Sequence, residues 1–111
     1  MQIEFTPVRT DTRLALERHG DCLIVNGERF DFAPLPEGAE LPAEAIESDW
    51  FTGVVRRVNG VLHLAVRLPH GADAPDETLF PQPVMALKDG PVATPPYSKT
   101  DTAKEAQHEQ D

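Results

Sequence analysis

Asn-Gly occurs twice in this chain, at Asn26-Gly27 and Asn59-Gly60, each time between short β-rich apolar runs. Few dipeptides constrain a fold more. A two-residue hairpin turn of type I′ needs positive φ at both central positions, and Asn followed by Gly accepts this at least cost. The second dipeptide separates Trp50–Val58 from Val61–Leu68. A turn there pairs Val58 with Val61, Arg57 with Leu62, Val55 with Leu64, Gly53 with Val66 and Phe51 with Leu68. One face then carries Phe51, Val55, Leu62, Leu64, Val66 and Leu68, with Arg57 near the turn. This is a core face. The opposite face carries Trp50, Thr52, Val54, Arg56, His63, Ala65 and Arg67.

The first dipeptide separates Cys22–Val25 from Glu28–Phe32 and places Val25 opposite Glu28 and Leu23 opposite Phe30. A further turn at His19-Gly20 sets Leu16 opposite Leu23. Leu16, Leu23 and Phe30 then form one apolar row, with Leu14 and Val25 in the next, so two turn signals agree on one three-stranded meander.

The remaining signals are shorter. Gln2–Phe5 alternates, with Ile3 and Phe5 on one face, and Pro7 predicts that this strand lies at a sheet edge or ends there. Ala33–Asp49 is an irregular connection with Pro34, Pro36, Gly38 and Pro42, and Pro42–Glu47 has room for one or two helical turns. Pro69–Pro81 reads as a loop. Pro83–Lys88 reads as a last strand that Asp89-Gly90-Pro91 ends. The expected architecture is all-β: a small two-sheet sandwich or partly open barrel of six to seven short strands built from hairpins, with at most one short helix. Residues 1–93 form the single β domain. Residues 94–111 read as a disordered acidic tail, since Ser98–Asp111 has no aliphatic residue larger than alanine.

Charge narrows the partners. The formal net charge is −9. Residues 1–93 hold 15 acids against 8 bases, net −7, so the acidity belongs to the body. An acidic body repels a phosphate backbone, and no nucleic-acid partner is expected. No apolar run approaches the ~18–20 residues of a membrane span. MQIEFTPVRT lacks a basic flank followed by an apolar core, so no secretory leader is expected either.

Chemistry finds little support. A single cysteine, Cys22, gives neither a disulfide framework nor a thiolate zinc site. It lies in a predicted strand with no nucleophile signature around it. His63 and His70 are near in sequence but separated by a strand end and Pro69. Asp73, Asp76 and Glu77 lack the spacing of a calcium loop. Glu40, Glu44, Glu47 and Asp49 decorate a connection that reads as exposed. No catalytic residue, metal site or cofactor is expected. The surface of most interest is the mixed hairpin face, Trp50, Val54, Arg56, His63 and Arg67. It combines an aromatic anchor with cations of the kind that dominate interfaces.

The succession FDFAPLPEGAELPAEAI, DWF, VNGVLHLAVRLPHG, FPQPV and DGPVA resembles a family of small prophage-encoded proteins found near phage tail genes. The resemblance runs from about Ile3 to Ala93. It implies an origin and carries no catalytic residues. It leads to the expectation of a non-enzymatic, phage-type accessory protein acting by protein–protein contact, as a tail-associated structural or assembly component. Such a protein would reside in the bacterial cytoplasm or on the virion, with self-association left open. The alternative is a small ligand-binding or enzymatic β-barrel with its site between the sheets. A host-directed regulator is not separable from the first reading.

Overall fold

The computed structural model describes residues 1–99. They form nine strands: β1 (Gln2–Arg9), β2 (Leu16–His19), β3 (Cys22–Val25), β4 (Glu28–Asp31), β5 (Glu40–Pro42), β6 (Phe51–Val58), β7 (Val61–His70), β8 (Val84–Met85) and β9 (Gly90–Val92). One short helix, α1 (Asp76–Leu79), lies in the loop after β7, and a 3₁₀ turn spans Ala43–Ala45 behind Pro42. The strands make two open sheets, ordered β5-β6-β7-β1-β8 and β4-β3-β2-β9. The all-β class and the two sheets stand as expected, in the sandwich form and not the barrel. The strand count exceeds the expected six to seven because β5 and β9, three residues each and too short to show alternation, also pair, while the strand expected over Pro83–Lys88 is the two-residue β8.

Both Asn-Gly turns have the expected backbone, with φ of 49° and 85° at Asn26 and Gly27 and 51° and 79° at Asn59 and Gly60. β3 and β4 pair Val25 with Glu28 and Leu23 with Phe30, in the expected register. The turn before them is displaced by one residue. It is Gly20-Asp21, not His19-Gly20, and it pairs Leu16 with Val25 and Arg18 with Leu23. Only Gly20 has positive φ, at 60°, as a type II′ turn requires. Moving the turn by one residue moves the pairing by two, so Leu16, Leu23 and Val25 keep their common buried face.

β6 and β7 pair as expected from Val58–Val61 to Arg56–His63, then fall out of register. Thr52 meets Ala65 and Phe51 meets Val66, not Leu68. Gly53, at φ 69°, absorbs the extra residues in β6 as a bulge. This shift is again two residues, and Phe51, Val55, Leu62, Leu64, Val66 and Leu68 are all buried.

β1 is not an outermost strand. It runs parallel to β7 over its whole length, from Gln2 beside His63 to Arg9 beside His70, and β8 covers only Gln2 and Ile3 on its other side. Pro7 is nevertheless harmless. Thr10 N–H donates to the His70 carbonyl, and Ala86 N–H donates to the Met1 carbonyl. Even-numbered residues of β1 therefore turn their amides to β7 and odd-numbered ones turn away. Pro7 faces the side that β8 has already left open. Pro91 sits likewise: Asn26 N–H donates to Ala15, which turns Glu17 toward β3 and leaves its β9 neighbour Pro91 facing outward.

The two sheets close over one apolar core that includes Ile3, Phe5, Leu16, Leu23, Val25 and Leu68. Phe30 and Phe32 from the smaller sheet side meet Phe51 edge-on, with ring centroids 4.8 and 5.7 Å apart. Arg57, expected only as a core-face residue near a turn, joins the layers. Its side chain, 13% exposed, donates from Nε to the Leu35 carbonyl at 2.7 Å and from Nη2 to the Phe32 carbonyl at 3.1 Å and Asp21 Oδ2 at 3.2 Å. Cys22 is buried. The Asp31 carboxyl is held below its ordinary value by the Ala33 N–H first and by the Cys22 thiol second.

Residues 94–99, placed by sequence in the tail, lie against the body. Thr78 Oγ1 donates to the Pro96 carbonyl at 2.6 Å, and the Tyr97 hydroxyl donates to the Thr10 carbonyl at 2.6 Å. The Arg13 guanidinium stands 3.8 Å from the Tyr97 ring centroid. Gly71 lets this ring approach, since a Cβ there would come within 3.0 Å of it. The expectation of disorder for the rest of the tail, residues 100–111, falls outside the described residues.

Candidate functional site

The five-stranded sheet has one face on the core and one face turned outward. Alternation along β6, β7 and β1 sends Val54, Arg56, His63, Ala65, Arg67, Glu4 and Thr6 to the outward side, while Val55, Leu64, Val66, Ile3 and Phe5 are buried. Strand pairing sets these outward residues in rows. Glu40, Arg56, His63, Gln2 and Met85 are successive neighbours across all five strands. In the next row Thr52, Ala65 and Glu4 are neighbours.

The bulge at Gly53 and the small side chain of Ala65 hollow this face into a groove of about 590 Å³. Glu4, Thr6, Thr52, Val54, Arg56 and His63 form its walls. The Thr6 and Thr52 hydroxyls meet across β7 at 3.0 Å, a contact that the small Ala65 between them permits. Arg56 and Arg67 are exposed, His63 and Val54 half-buried. Arg67 Nε donates to the Asp49 carbonyl at 2.6 Å, which fixes the guanidinium while leaving its other N–H groups outward. Among the described residues neither Arg56 nor Arg67 is in an ion pair.

Sequence placed Thr52 opposite Arg67. The bulge moves Thr52 to Ala65, and Arg67 instead donates its backbone N–H to Trp50. Trp50 is half-buried and packs against the core, so it is a rim residue and not a free anchor. With Val8, Thr10, Thr12, Arg67 and Pro69 it lines a second hollow of about 330 Å³ at the far end of β7. The structure therefore brings Val54, Arg56 and His63 together in one groove and sets Trp50 and Arg67 beside the other. Sequence missed Glu4 and Thr6. Their alternation was visible, but nothing in it named β7 as the neighbour.

Other candidates are kept apart. His63 and His70 stand seven residues apart on one strand, about 23 Å at the usual rise. His70 Nδ1 lies 2.9 Å from the Gly71 carbonyl. Asp76 and Glu77 begin α1. Among the described residues no group of three or more His, Cys, Asp or Glu is placed to hold a metal ion, and no helix is long and apolar enough to cross a membrane. No family model, curated protein or solved structure matches this chain.

Proposed function

We propose that this protein acts by protein–protein contact through the outward face of its five-stranded sheet, and that it is a phage-type accessory protein, tail-associated or serving assembly. The observation that carries the contact reading is an outward sheet face with two exposed guanidinium groups, Arg56 in the groove and Arg67 beside the second hollow, neither in an ion pair among the described residues, on a body of net −7. In an acidic field such groups orient the approach of an acidic partner segment. The phage assignment is supported by the resemblance of the hairpin and loop words from Ile3 to Ala93. It carries with it residence in the bacterial cytoplasm or on the virion. The inter-sheet space, filled by Ile3, Leu23, Val55, Val66 and Leu68, weighs against a ligand site between the sheets.

The test replaces Arg56 and Arg67 together with Glu. Both are exposed, so circular dichroism should report an intact fold. Capture of phage tail proteins co-expressed with the chain should fall by at least ~2 kcal/mol, roughly 30-fold, if either arginine is a hot spot. Capture at wild-type strength by the folded double variant would exclude this face.

A further inference from the structure

The sandwich is open along one side, where β8 ends the larger sheet and β9 ends the smaller one. The chain itself crosses between the sheets there, through residues 86–89. Two hollows of about 430 and about 320 Å³ run along this seam and share Val84 and Ala93. Their lining is mainly apolar, with Phe80, Pro83, Leu87, Pro91 and Pro95 among its walls. Three large apolar side chains stand exposed beside it: Phe80 at 75%, Leu87 at 78% and Met85 at 48%.

The backbone of the seam is as specific as its side chains. Met1 and Ala86 exchange hydrogen bonds in both directions, at 2.8 and 3.3 Å. In an antiparallel ladder the next pair, Gln2 and Met85, then exchanges none. Met85 turns its N–H and C=O away from β1, toward the open side of the sheet. On the facing edge of β9, Pro91 occupies the outward position and offers a carbonyl but no donor. Pro83, the outward position before Met85, is limited in the same way, so an incoming backbone meets both polar groups of Met85 and the Pro83 carbonyl on β8.

We infer that this seam is a docking groove for one extended, apolar segment of a partner protein, which adds as a strand to the outer edge of β8 beside Met85 and lays alternate side chains into the hollow between β8 and β9. Strand addition of this kind takes affinity from main-chain hydrogen bonds and selectivity from alternate pockets. Gln82 to Leu87, six residues with β8 at their centre, sets the length of such a strand. A second copy of this chain fits poorly. The three exposed side chains offer on the order of 400 Å², against about 800 Å² per partner for a standard stable interface. Each copy also carries a net charge of −9, which opposes pairing. Glu77 lines the Phe80 end of the seam, so the segment carries a basic residue there.

The test uses the full chain and a fluorescent octapeptide, Lys-Thr-Val-Thr-Val-Thr-Val-Thr, read by fluorescence anisotropy. Saturable binding is expected. Met85→Pro removes the outward N–H without removing a bond to β1, and should leave the melting curve intact while weakening binding at least tenfold. Leu87→Asp, at an exposed position, should weaken it similarly. A peptide N-methylated at alternate amides, one version for each register, should lose binding in one version and keep it in the other. Equal binding of both methylated peptides would overturn strand addition. So would no binding of the parent peptide at about 1 mM, the weak limit of specific recognition. A concentration-dependent dimer in sedimentation equilibrium, dispersed by Leu87→Asp, would assign the seam to a second copy and overturn the inference. Because Arg56 and Arg67 lie on the outward face and not in this seam, the outcome is independent of the double-glutamate test.

Discussion

The two Asn-Gly hairpins share a turn and differ in the strands it joins. Their turn dihedrals agree within about six degrees. β3 and β4 keep the turn's register through all four of their pairs. β6 and β7 keep it for three pairs and then slip by two residues at Gly53. The turn thus governs the first few pairs, and further along the packing of each face decides. The turns are also held differently. Asn26 supports its own, accepting from Ala15 N–H at 2.7 Å and donating to the Arg13 carbonyl at 2.9 Å. The Asn59-Gly60 turn is held from outside: each Glu37 carboxylate oxygen accepts a turn N–H at 2.7 Å. One hairpin closes on its neighbour in sequence, the other on a distant connection.

The largest effect that would sharpen this contrast is expected at Arg57, two residues before the second turn. Arg57→Leu leaves the Leu35 carbonyl and the Asp21 carboxylate without this donor and the Phe32 carbonyl with the Leu35 N–H alone, and should cost about 3 kcal/mol in urea unfolding. Ile24, at the equivalent place before the first turn, is half-buried and makes no such connection. Ile24→Ala should cost about 1 kcal/mol. Equal losses would show that Arg57 does not join the layers. Next come the turn glycines. Gly27→Val should cost about 1 kcal/mol and Gly60→Val about 2 kcal/mol, since a side chain at either is strained at positive φ even with open space around it. Gly60→Val should be the costlier by about 1 kcal/mol, because the Glu37 carboxylate also loses its grip. A smaller loss at Gly60 would break the distinction.

The smallest effect is on pH dependence and belongs to the first hairpin. The Asp31 carboxyl is held below its ordinary value of 3.8 in the folded state, chiefly by the Ala33 N–H. Its stabilisation is present above the unfolded value and is lost as pH falls through the folded one. Melting temperature measured downward from pH 5 should fall a little less steeply in Asp31→Asn than in the parent. An identical slope would show that Asp31 does not contribute.

The parts legible in the sequence were those written locally. The type I′ turns need Asn and Gly at fixed places, and the buried sets of β3, β6 and β7 come from period-two alternation. The displaced turn at Gly20-Asp21 and the bulge at Gly53 were hidden by the same rule that made the faces readable. Both are shifts of two residues, which leave alternation unchanged. Val54, Arg56 and His63 were placed on one face because their neighbours lie within a single hairpin. Glu4 and Thr6 were missed because β1 pairs with β7 across the length of the body. Arg57 was seen as near a turn, but its carbonyl partners at Phe32 and Leu35 lie in a connection without periodicity.

That long pairing bears on how the chain comes to be folded during synthesis. β1 is made well before β7 and must wait about sixty residues for its parallel partner. Until then Ile3 and Phe5, buried in the finished protein, have no β7 to cover them. The meander of β2, β3 and β4 and the β6–β7 hairpin close short loops and can form as they emerge, whereas β1 with β7 closes a loop of about sixty residues and pays its entropy later. A strand made early is thus secured late, and in the interval its apolar face is open to whatever binds nascent chains.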